Sequence, residues 1–411
     1  MDLRRRDLLT LALGSLVATA LPSWAFAADA APGPLVPVPT IDWRRCLVLI
    51  ELRGGNDGLN TVIPFANPAY ARARPTIAIG PERVLRLDRE LGLHPALAPL
   101  LPAWKERELG IVLGVGYPQP NRSHFRGIDT WNSGSAANEL AADGWLARLL
   151  HGVATRADAD LLADAVILGY GTTIAHGGFG PLAGWDLRTV VMDSPAEYIA
   201  RAKGVAPPAV AAKAGSALDH VLGVQRDIAS TVERLSAVEQ APPRFTTEFP
   251  MTTLGRQLGM TAKLIAADAG VPVWKLTLDG FDTHADQPRR HEELLGELAG
   301  ALAAFRSALT EAKRWDGVAV MTYSEFGRRV EENASKGTDH GTAAPHLLLG
   351  GKVAGGWHGK QPDLNRLDDG DLVHTTDFRA VYRAIAQDWW GYRGGFLSDK
   401  VVKPLAGLFR G

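Results

Sequence analysis

The feature that most constrains the fold is a series of short apolar runs, each followed by glycine or polar residues. Four clear examples are Cys46–Leu52, Gly110–Val115, Val273–Leu278 and Val318–Tyr323, which have the composition of buried strands. Helical patterns lie between such runs, most clearly over His291–Ala312, where leucines recur on one stripe. Continuous apolar strands of this kind are typical of a mostly parallel sheet that helices cover on both faces. The sequence therefore predicts an α/β fold, a three-layer sandwich around a mostly parallel sheet.

Acidic residues and histidines lie next to several of these strands. Asp282 and His284 come directly after one predicted strand, and Glu325 follows the next one along the chain. In open α/β sheets, ligands bind outside the carboxyl ends of the strands, where loops from several strands meet. Position in the sequence therefore predicts a shared site at one edge of the sheet. The acids and histidines predicted there are Asp57, Asp282, His284, Glu325, Asp339 and His340.

The first 27 residues have the pattern of an export signal. Three arginines at 4–6 precede an apolar run over 8–21, which is shorter than the roughly 20 residues that span a bilayer. Ala-Phe-Ala at 25–27 matches the small-residue pattern at which signal peptidase cleaves. The paired arginines, with the Asp-Leu-Leu that follows, resemble a twin-arginine signal. We expect cleavage after Ala27 and a periplasmic or secreted protein, exported by the twin-arginine route; an uncleaved amphipathic anchor is the alternative.

Charge and cysteine content narrow the range of partners. The chain of 411 residues carries 44 Lys and Arg residues against 45 Asp and Glu residues, so it lacks the basic field that attracts nucleic acid. No other apolar run approaches bilayer length, so the mature protein is expected to bind no membrane after signal cleavage. Cys46 is the only cysteine, which excludes an intrachain disulfide, and its apolar neighbours predict a core position.

Five motifs of the chain resemble those of the DUF1501 family. They occur in the family's order and cover nearly the whole mature chain: LRGGNDGLN (52–60), NRSHF (121–125), GFDTH (280–284), SEFGRR (324–329) and GTDHG (337–341). That family is exported and is similar in fold to the alkaline phosphatase and sulfatase superfamily. The resemblance implies that residues 28–411 form a single DUF1501 domain with an alkaline phosphatase-like sandwich. Because the reaction of the family is largely uncharacterised, the resemblance names a family better than an activity.

The resemblance also implies metal ligands at particular positions. In those hydrolases an acid after the first strand binds metal, and Asp57 holds that place. Asp282 and His284, with His291 as a further option, correspond to ligands from later strand ends.

The late Asp-His pair of the superfamily is altered in this chain. Glu325 and Phe326 stand after the corresponding strand; Glu325 can replace the acid, but Phe326 cannot replace the histidine. Asp339 and His340, just before the next strand, fit the last superfamily histidine better. The resemblance therefore implies that one of two metal sites is degraded or lost.

For the reaction, the resemblance implies a nucleophile at the start of a helix, where Ser123 stands with His124 beside it. Asn56, Arg122 and Arg328 are the candidate substrate-binding residues, because a guanidinium can hold the oxygens of a phosphate or sulfate in pairs. The serine would form a covalent ester, which activated water then releases. Two divalent cations about 3.5–4 Å apart can activate the nucleophile and clamp the transferred group. Oxygen and imidazole ligands are compatible with Zn, Mn, Mg or Ca, and each histidine favours Zn or Mn.

Each of these residues also has a structural interpretation. Asp57 can serve a turn, because Asn, Asp and Gly favour such backbone angles. Ser123 can cap the helix that starts near His124. Glu325 can pair with Arg328 at helical spacing. Tryptophans near turn-rich segments can stack on a sugar ring, although packing beneath long loops is the commoner use.

Two classes of function remain. The first is an exported metal-dependent hydrolase that acts on a phosphate or sulfate ester of a small molecule or polysaccharide. The second is a non-catalytic exported binding or assembly protein whose set of metal ligands has decayed. Phe326 motivates this alternative, because it stands where the resemblance implies a histidine. A metal-independent hydrolase using Ser123 and His124 is less favoured, because adjacent residues rarely place a base against the nucleophile and no Gly-x-Ser-x-Gly motif occurs there.

Overall fold

The computed structural model describes residues 42, 44–151, 153, 161–169, 178–184, 187–206, 208, 210, 212–213, 215–397 and 402–411. The predicted signal peptide, residues 1–27, lies outside the described residues, as does Trp185, one of the tryptophans near turn-rich segments. Among the described helices, none is both long enough and apolar enough to span a bilayer.

Within the described residues, a nine-stranded sheet forms the centre of the protein. Its strands, in chain order, are β1 (Cys46–Arg53), β2 (Leu109–Gly116), β3 (Ala165–Leu168), β4 (Thr189–Met192), β5 (Val273–Asp279), β6 (Val318–Tyr323), β7 (Ala344–Leu349), β8 (Gly356–His358) and β9 (Thr376–Asp377). Their order across the sheet is β8-β2-β7-β6-β1-β5-β3-β4, and β9 also pairs with β2. All pairs are parallel except those that β7 makes with β2 and β6. The predicted α/β fold with a mostly parallel sheet is therefore confirmed.

Helices cover this sheet, and short strands extend its loops. The longer helices are α1 (His124–Ser133), α2 (Trp145–His151), α3 (Pro195–Arg201), α4 (Ala217–Gln240), α5 (Thr253–Ala266), α6 (Gln287–Glu311) and α7 (Phe378–Ala384). Shorter helical turns are Gly58–Thr61, Pro68–Ala73, Pro95–Leu100, Leu101–Lys105, Gly180–Leu182, Trp315–Gly317 and Ile385–Trp389. In one small sheet, Gly92–Leu93 pairs with Val62–Ile63 and with Leu85–Arg86. In the other, Leu367–Asp368 pairs with Asp371–Leu372.

Alternate side chains of β1 enter two separate apolar cores. Val48 and Ile50 belong to a cluster that includes buried residues of α5 and α6. Leu47 and Leu49 belong to the other cluster, which includes Trp131. Because both faces of the strand are buried, its sequence is a continuous apolar run rather than an alternating one.

Helix α6 begins earlier than its sequence pattern predicted. The pattern indicated 291–312, whereas the helix spans Gln287–Glu311 with a proline in its first turn. His291 therefore lies in the second turn and is only 1% exposed, not at a solvated helix start. The apolar stripe of the helix, which includes Leu298 and Phe305, is buried in the core.

Loops from four strands meet at one edge of the sheet. Strands β6, β1 and β5 are parallel neighbours, so the segments that follow them, 324–328, 54–57 and 280–284, lie side by side. Strand β7 runs the opposite way, so the segment before it, 337–341, reaches the same edge. At Gly54, φ is +116° and a Cβ would lie 2.2 Å from a backbone nitrogen of the neighbouring loop, so only glycine fits this close approach.

Candidate metal centre

Three histidines and one aspartate from distant parts of the chain converge at this edge. His284 Nε2 lies 3.0 Å from His340 Nε2 and 3.1 Å from Asp282 Oδ1. His340 Nε2 lies 3.2 Å from the same Asp282 oxygen, and His124 Nε2 lies 3.5 Å from Asp282 Oδ2. His124, Asp282 and His340 each offer a ligand atom within 4.8 Å of the other two. These four residues are called the histidine cluster below; three of them were predicted as ligands, and His124 was predicted as catalytic.

A second ring of oxygens fixes the three imidazoles. The Nδ1 atoms face oxygens as follows: His124 faces Glu325 Oε1 at 2.8 Å, His284 faces Asp339 Oδ1 at 2.9 Å, and His340 faces the carbonyl oxygen of Arg122 at 2.9 Å. Carboxylate and carbonyl oxygens accept hydrogen bonds, so these contacts favour the tautomer with the proton on Nδ1. In the neutral imidazole, each Nε2 is then left with a lone pair directed into the cluster. Proteins orient metal-binding histidines in this way.

The spacing among His284, His340 and Asp282 fits one small cation. Two Nε2 lone pairs that face each other at 3.0 Å repel, and a cation or a proton between them removes the repulsion. In a tetrahedral site with bonds of about 2.0–2.1 Å, neighbouring ligand atoms are about 3.3 Å apart. The separations of 3.0, 3.1 and 3.2 Å among His284, His340 and Asp282 lie close to that value. Imidazole nitrogens with a carboxylate oxygen favour Zn²⁺ or Mn²⁺ over Mg²⁺ or Ca²⁺.

Nearby groups keep the cluster in a form that can bind a cation. Burial alone would raise the pKa of Asp282, but the hydrogen bond and charge of Arg328 outweigh it and lower that pKa, so the carboxylate is ionised. Burial lowers the pKa of His340, which favours its neutral imidazole. The hydrogen bond to Glu325 raises the pKa of His124. Because His124 lies between two carboxylates, its surroundings favour a positive charge, whether a proton or a metal ion.

Two residues that were predicted as metal ligands lie behind the histidines. Glu325 is 2% exposed and accepts hydrogen bonds from the Gly54 N–H group at 2.8 Å and from His124. Asp339 is exposed, and its hydrogen bond with His284 lowers its pKa. The oxygens of both residues bind imidazole Nδ1 groups. The structure therefore places Glu325 Oε1 and Asp339 Oδ1 behind the histidines, where they fix the imidazoles.

Phe326 stands where the resemblance implied a histidine. Its ring centroid lies 5.0 Å from that of His124 and 4.7 Å from that of His340. Gly55 has a φ of +81°, and a Cβ there would lie 2.4 Å from the Phe326 ring. The second glycine of the Gly-Gly motif thus makes room for an aromatic ring that packs against two cluster histidines.

Arg328 ties the loops of the site together from inside the protein. Its side chain is fully buried and donates to the carbonyl oxygens of Gly55 at 2.7 Å, Thr338 at 2.8 Å and Phe281 at 3.0 Å. It also donates to Asp282 Oδ1 at 2.5 Å. Because the guanidinium does not reach solvent, the predicted contact with substrate is corrected: Arg328 positions Asp282.

Asp57 belongs to a different, buried network. Its carboxylate caps the short helix after it, accepting hydrogen bonds from Leu59 N at 3.1 Å and Asn60 N at 3.3 Å. It also accepts from Arg74 Nη1 at 2.6 Å and from Gln287 Nε2, and neither Asp57 nor Arg74 exposes its side chain. Burial alone would raise the pKa of Asp57, but Arg74 outweighs it and lowers that pKa. A guanidinium therefore compensates this carboxylate, and the predicted metal role of Asp57 is corrected.

Asn56 is also used inside the protein. Its N–H group donates to Ser324 Oγ at 3.0 Å, and its amide nitrogen donates to Thr61 Oγ1 at 3.0 Å. Its Oδ1 atom faces His291 Nε2 at 2.9 Å. Burial lowers the pKa of His291 to about 4, so this histidine is neutral. Since Asn56 is only 2% exposed, its predicted contact with substrate is corrected to a structural role.

Ser123 and Arg122 lie at the surface beside the cluster. Ser123 occupies the position before helix α1, yet its side chain makes no capping hydrogen bond, so the structural interpretation as a cap is not supported. Its N–H group donates to Asn121 Oδ1 at 2.8 Å. Arg122 has a side chain that is 35% exposed and lies 3.3 Å from Asp369. Both residues are accessible to a ligand.

Comparison with known proteins identifies the family. A family model described as "Protein of unknown function (DUF1501)" matches residues 90–385. The chain belongs to the DUF1501 family. A search of curated proteins found no match to this DUF1501 chain.

Solved structures similar to the DUF1501 chain include a protein in the alkaline phosphatase superfamily from Vibrio parahaemolyticus. That match has 12% identity, covers 98% of this chain and 80% of that chain, and has a TM-score of 0.40. The lipoteichoic acid synthase LtaP from Listeria monocytogenes matches with 12% identity, 81% and 74% coverage and a TM-score of 0.37. The phosphonate monoester hydrolase of Agrobacterium radiobacter matches with 9% identity, 84% and 73% coverage and a TM-score of 0.34.

The sequence predicted His124 as a catalytic residue and did not predict Arg74. His124 was grouped with Ser123 because the two are adjacent, although its Nε2 atom faces the cluster aspartate. Arg74 follows the short helix Pro68–Ala73 and belongs to no motif. A lone arginine in a loop is usually solvated, so only the tertiary contact with Asp57 reveals its role.

Proposed function

We propose that this DUF1501 protein is an exported metal-dependent hydrolase of phosphate or sulfate esters, with one divalent cation at the histidine cluster. The observation that carries the proposal is a set of three Nε2 atoms around one aspartate, each imidazole being fixed through Nδ1 by an oxygen. His124, Asp282, His284 and His340 are the proposed ligands, and Zn²⁺ or Mn²⁺ suits them best. When bound, such a cation polarises an ester oxygen and lowers the pKa of a nearby hydroxyl or water.

Residues beside the cluster supply the other parts of the reaction. Ser123 Oγ would attack the phosphorus or sulfur atom, and the alcohol would leave with the serine proton. Water would then release the acid from the serine ester. The first N–H groups of helix α1, next to Ser123, lack acceptors within the helix and can hold the anionic oxygens of the ester. Arg122 is the partly exposed guanidinium that can contact the same oxygens.

A second candidate function is an exported binding or assembly protein without catalysis. It is favoured by the ion pair of Asp57 with Arg74 and by the packing of Phe326, since both stand where the resemblance implied further metal ligands. In that case, a cation at the histidine cluster would only stabilise the loops.

Elemental analysis of the purified mature protein, combined with a panel of phosphomonoesters, phosphodiesters and sulfate esters, separates the two candidates. We expect about one equivalent of Zn or Mn, together with ester hydrolysis. Ser123→Ala should lose hydrolysis and keep the metal. His340→Ala should lose the metal, whereas the control His220→Ala on helix α4 should retain it. A folded protein with one cation and no hydrolysis would favour the binding protein, and a folded protein without a cation would contradict the proposed site.

We also propose that residues 1–27 direct export by the twin-arginine route. The support is the arginine triplet, the short apolar run and the Ala-Phe-Ala sequence. Replacing the arginines at 4–6 with lysine should retain the protein in the cytoplasm, whereas the same change at Arg44 and Arg45 should not. Cell fractionation measures the distribution, and unchanged export of the lysine variant would contradict this route.

A further inference from the structure

A cavity of ≈ 520 Å³ lies beside the histidine cluster. Residues of 116–122, after strand β2, form one wall, and residues of 368–374 form the other. Arg122 connects the two features, because it lines the cavity and its carbonyl oxygen accepts the hydrogen bond of His340 Nδ1 at 2.9 Å. The volume falls within the roughly 300–1,000 Å³ of small-molecule sites. A substrate whose reacting group lies at the cluster can therefore extend into this cavity.

The charges of the cavity nearly cancel. Arg122 Nη2 lies 3.3 Å from Asp369 Oδ2, and Arg329 Nη2 lies 3.6 Å from the same oxygen. Asp371, which is 1% exposed, forms ion pairs with both arginines and fixes their position beneath the cavity. Asp368 adds one exposed carboxylate. Arg122, which lines the cavity, and Arg329, which pairs with Asp369 from outside the lining, therefore offset two of the three carboxylates. One negative charge remains, so the cavity does not favour an anionic ligand.

The remaining polar groups of the wall include the side chains of Gln119, Asn121 and Thr342. Together with the charged pairs, they offer both hydrogen-bond donors and acceptors. A hydroxyl group matches such a surface, because it can donate to a carboxylate and accept from a guanidinium or an amide. The lining also contains Pro118 and Pro120, which can contact the apolar face of a ring. A wholly apolar ligand would remove the polar groups from water without replacing their hydrogen bonds, which is costly.

We propose that this cavity binds the alcohol part of the ester as a neutral, polyhydroxylated ring, that is, a sugar. The phosphate or sulfate group of the same molecule would lie at the histidine cluster. The substrate class named here rests on the proposed hydrolase function, but the binding of a free sugar can be measured without hydrolysis.

The test compares Asp369→Asn with the matched control Asp268→Asn. Both aspartates are exposed, have φ values of 47° and 55° respectively, and form ion pairs with two arginines each. Asparagine tolerates this left-handed backbone region. Asp268 precedes strand β5, so it lies at the opposite edge of the sheet. The two variants therefore differ in their place in the fold and not in the kind of interaction removed.

Ligand-detected NMR titrations would use free glucose, galactose and N-acetylglucosamine, with cyclohexanol as a ring that has a single hydroxyl. We expect at least one sugar to bind and cyclohexanol not to bind. Asp369→Asn should weaken sugar binding about tenfold, and Asp268→Asn should leave it unchanged. Failure of all three sugars to bind, equal binding of cyclohexanol, or equal effects of the two substitutions would overturn the assignment.

A kinetic experiment separates this inference from the proposed function. The ratio of kcat/KM for glucose 6-phosphate to that for butyl phosphate, and the same ratio for the sulfates, should exceed one in the wild type. It should fall about tenfold in Asp369→Asn and stay constant in Asp268→Asn. If no ester is hydrolysed while sugars bind in a manner that depends on Asp369, the hydrolase proposal fails and the sugar cavity stands. If the wild type and Asp369→Asn both hydrolyse butyl esters as efficiently as sugar esters, the sugar cavity fails and the hydrolase stands.

Discussion

The buried ion pair between Asp57 and Arg74 allows a quantitative test of how the site is built. Neither side chain is exposed, and Arg74 Nη1 lies 2.6 Å from Asp57 Oδ2. Arg74 also donates to the carbonyl oxygens of Val330 at 2.9 Å and Arg329 at 2.8 Å. Removing Arg74 therefore leaves a buried carboxylate without its counter-charge and takes a donor from two carbonyl groups. Asp57→Asn keeps the shape of the side chain but leaves a buried guanidinium without its anion.

The expected costs follow from these contacts. Breaking a buried ion pair by removing one partner costs about 3–5 kcal/mol of unfolding free energy. Asp57→Asn should lower the free energy of unfolding by about 3 kcal/mol, because asparagine retains an oxygen that can cap the helix Gly58–Thr61. Arg74→Met should cost about 5 kcal/mol or more, because the unsatisfied carbonyl groups add about 1 kcal/mol or more. The double variant should cost less than the sum, since the second change removes a group already left unpaired.

Urea unfolding of the mature protein in EDTA, followed by circular dichroism, measures these free energies without a contribution from metal. Lys263→Met is the matched control, because its ion pair with Glu239 is partly exposed and should contribute less than about 1 kcal/mol. A cost below about 1 kcal/mol for Asp57→Asn would refute the role assigned to Arg74. Loss of bound metal from Asp57→Asn, with the fold intact, would refute the placement of Asp57 outside the metal centre.

Three further predictions concern the cluster and the buried histidines. Glu325→Gln should weaken Zn²⁺ affinity about 10–100-fold in a chelator competition, because His124 Nδ1 loses its anionic partner. Gly54→Ala should lower both Tm and Zn²⁺ affinity, because a Cβ at that position would lie 2.2 Å from the backbone of a cluster loop. Burial lowers the pKa of His346 to about 3. Below about pH 6.5 the unfolded chain therefore binds a proton that the folded chain does not bind, and the free energy of unfolding decreases as the pH is lowered. His346→Leu should flatten this fall by up to about 1.4 kcal/mol per pH unit in urea titrations.

The place of the site could be predicted because apolar runs show where strands end. Strand β5 ends at Asp279, just before Asp282, and strand β6 ends at Tyr323, just before Glu325. Both are neighbours of β1 in a parallel arrangement, so their loops meet at one edge. Asp282 and His284 were both predicted at this edge, and His284 Nε2 lies 3.1 Å from Asp282 Oδ1.

The roles within that edge could not be predicted, because they depend on the direction of side chains in irregular loops. Asp339 and His340 are adjacent, yet Asp339 binds His284 from behind while His340 faces Asp282. Periodicity gives no direction for a side chain outside helices and strands. The partner of a buried acid is likewise a tertiary contact, which neither composition nor spacing encodes. For this reason, a carboxylate after a strand could not be assigned to a cation or to an arginine from the sequence.

Asp57 and Asp282, the two aspartates at this edge, differ in their burial. Asp57 is fully buried, so its charge needs a compensating group as soon as the chain folds, and Arg74 supplies one permanently. Asp282 also has a guanidinium partner, Arg328, but its side chain is 45% exposed, so water or a cation from solution can reach it. The fold therefore depends on a built-in guanidinium, and the proposed chemistry depends on an exchangeable ion. Removing metal with EDTA should abolish ester hydrolysis while leaving the protein folded, with a loss of stability no larger than the mass-action contribution of the bound cation.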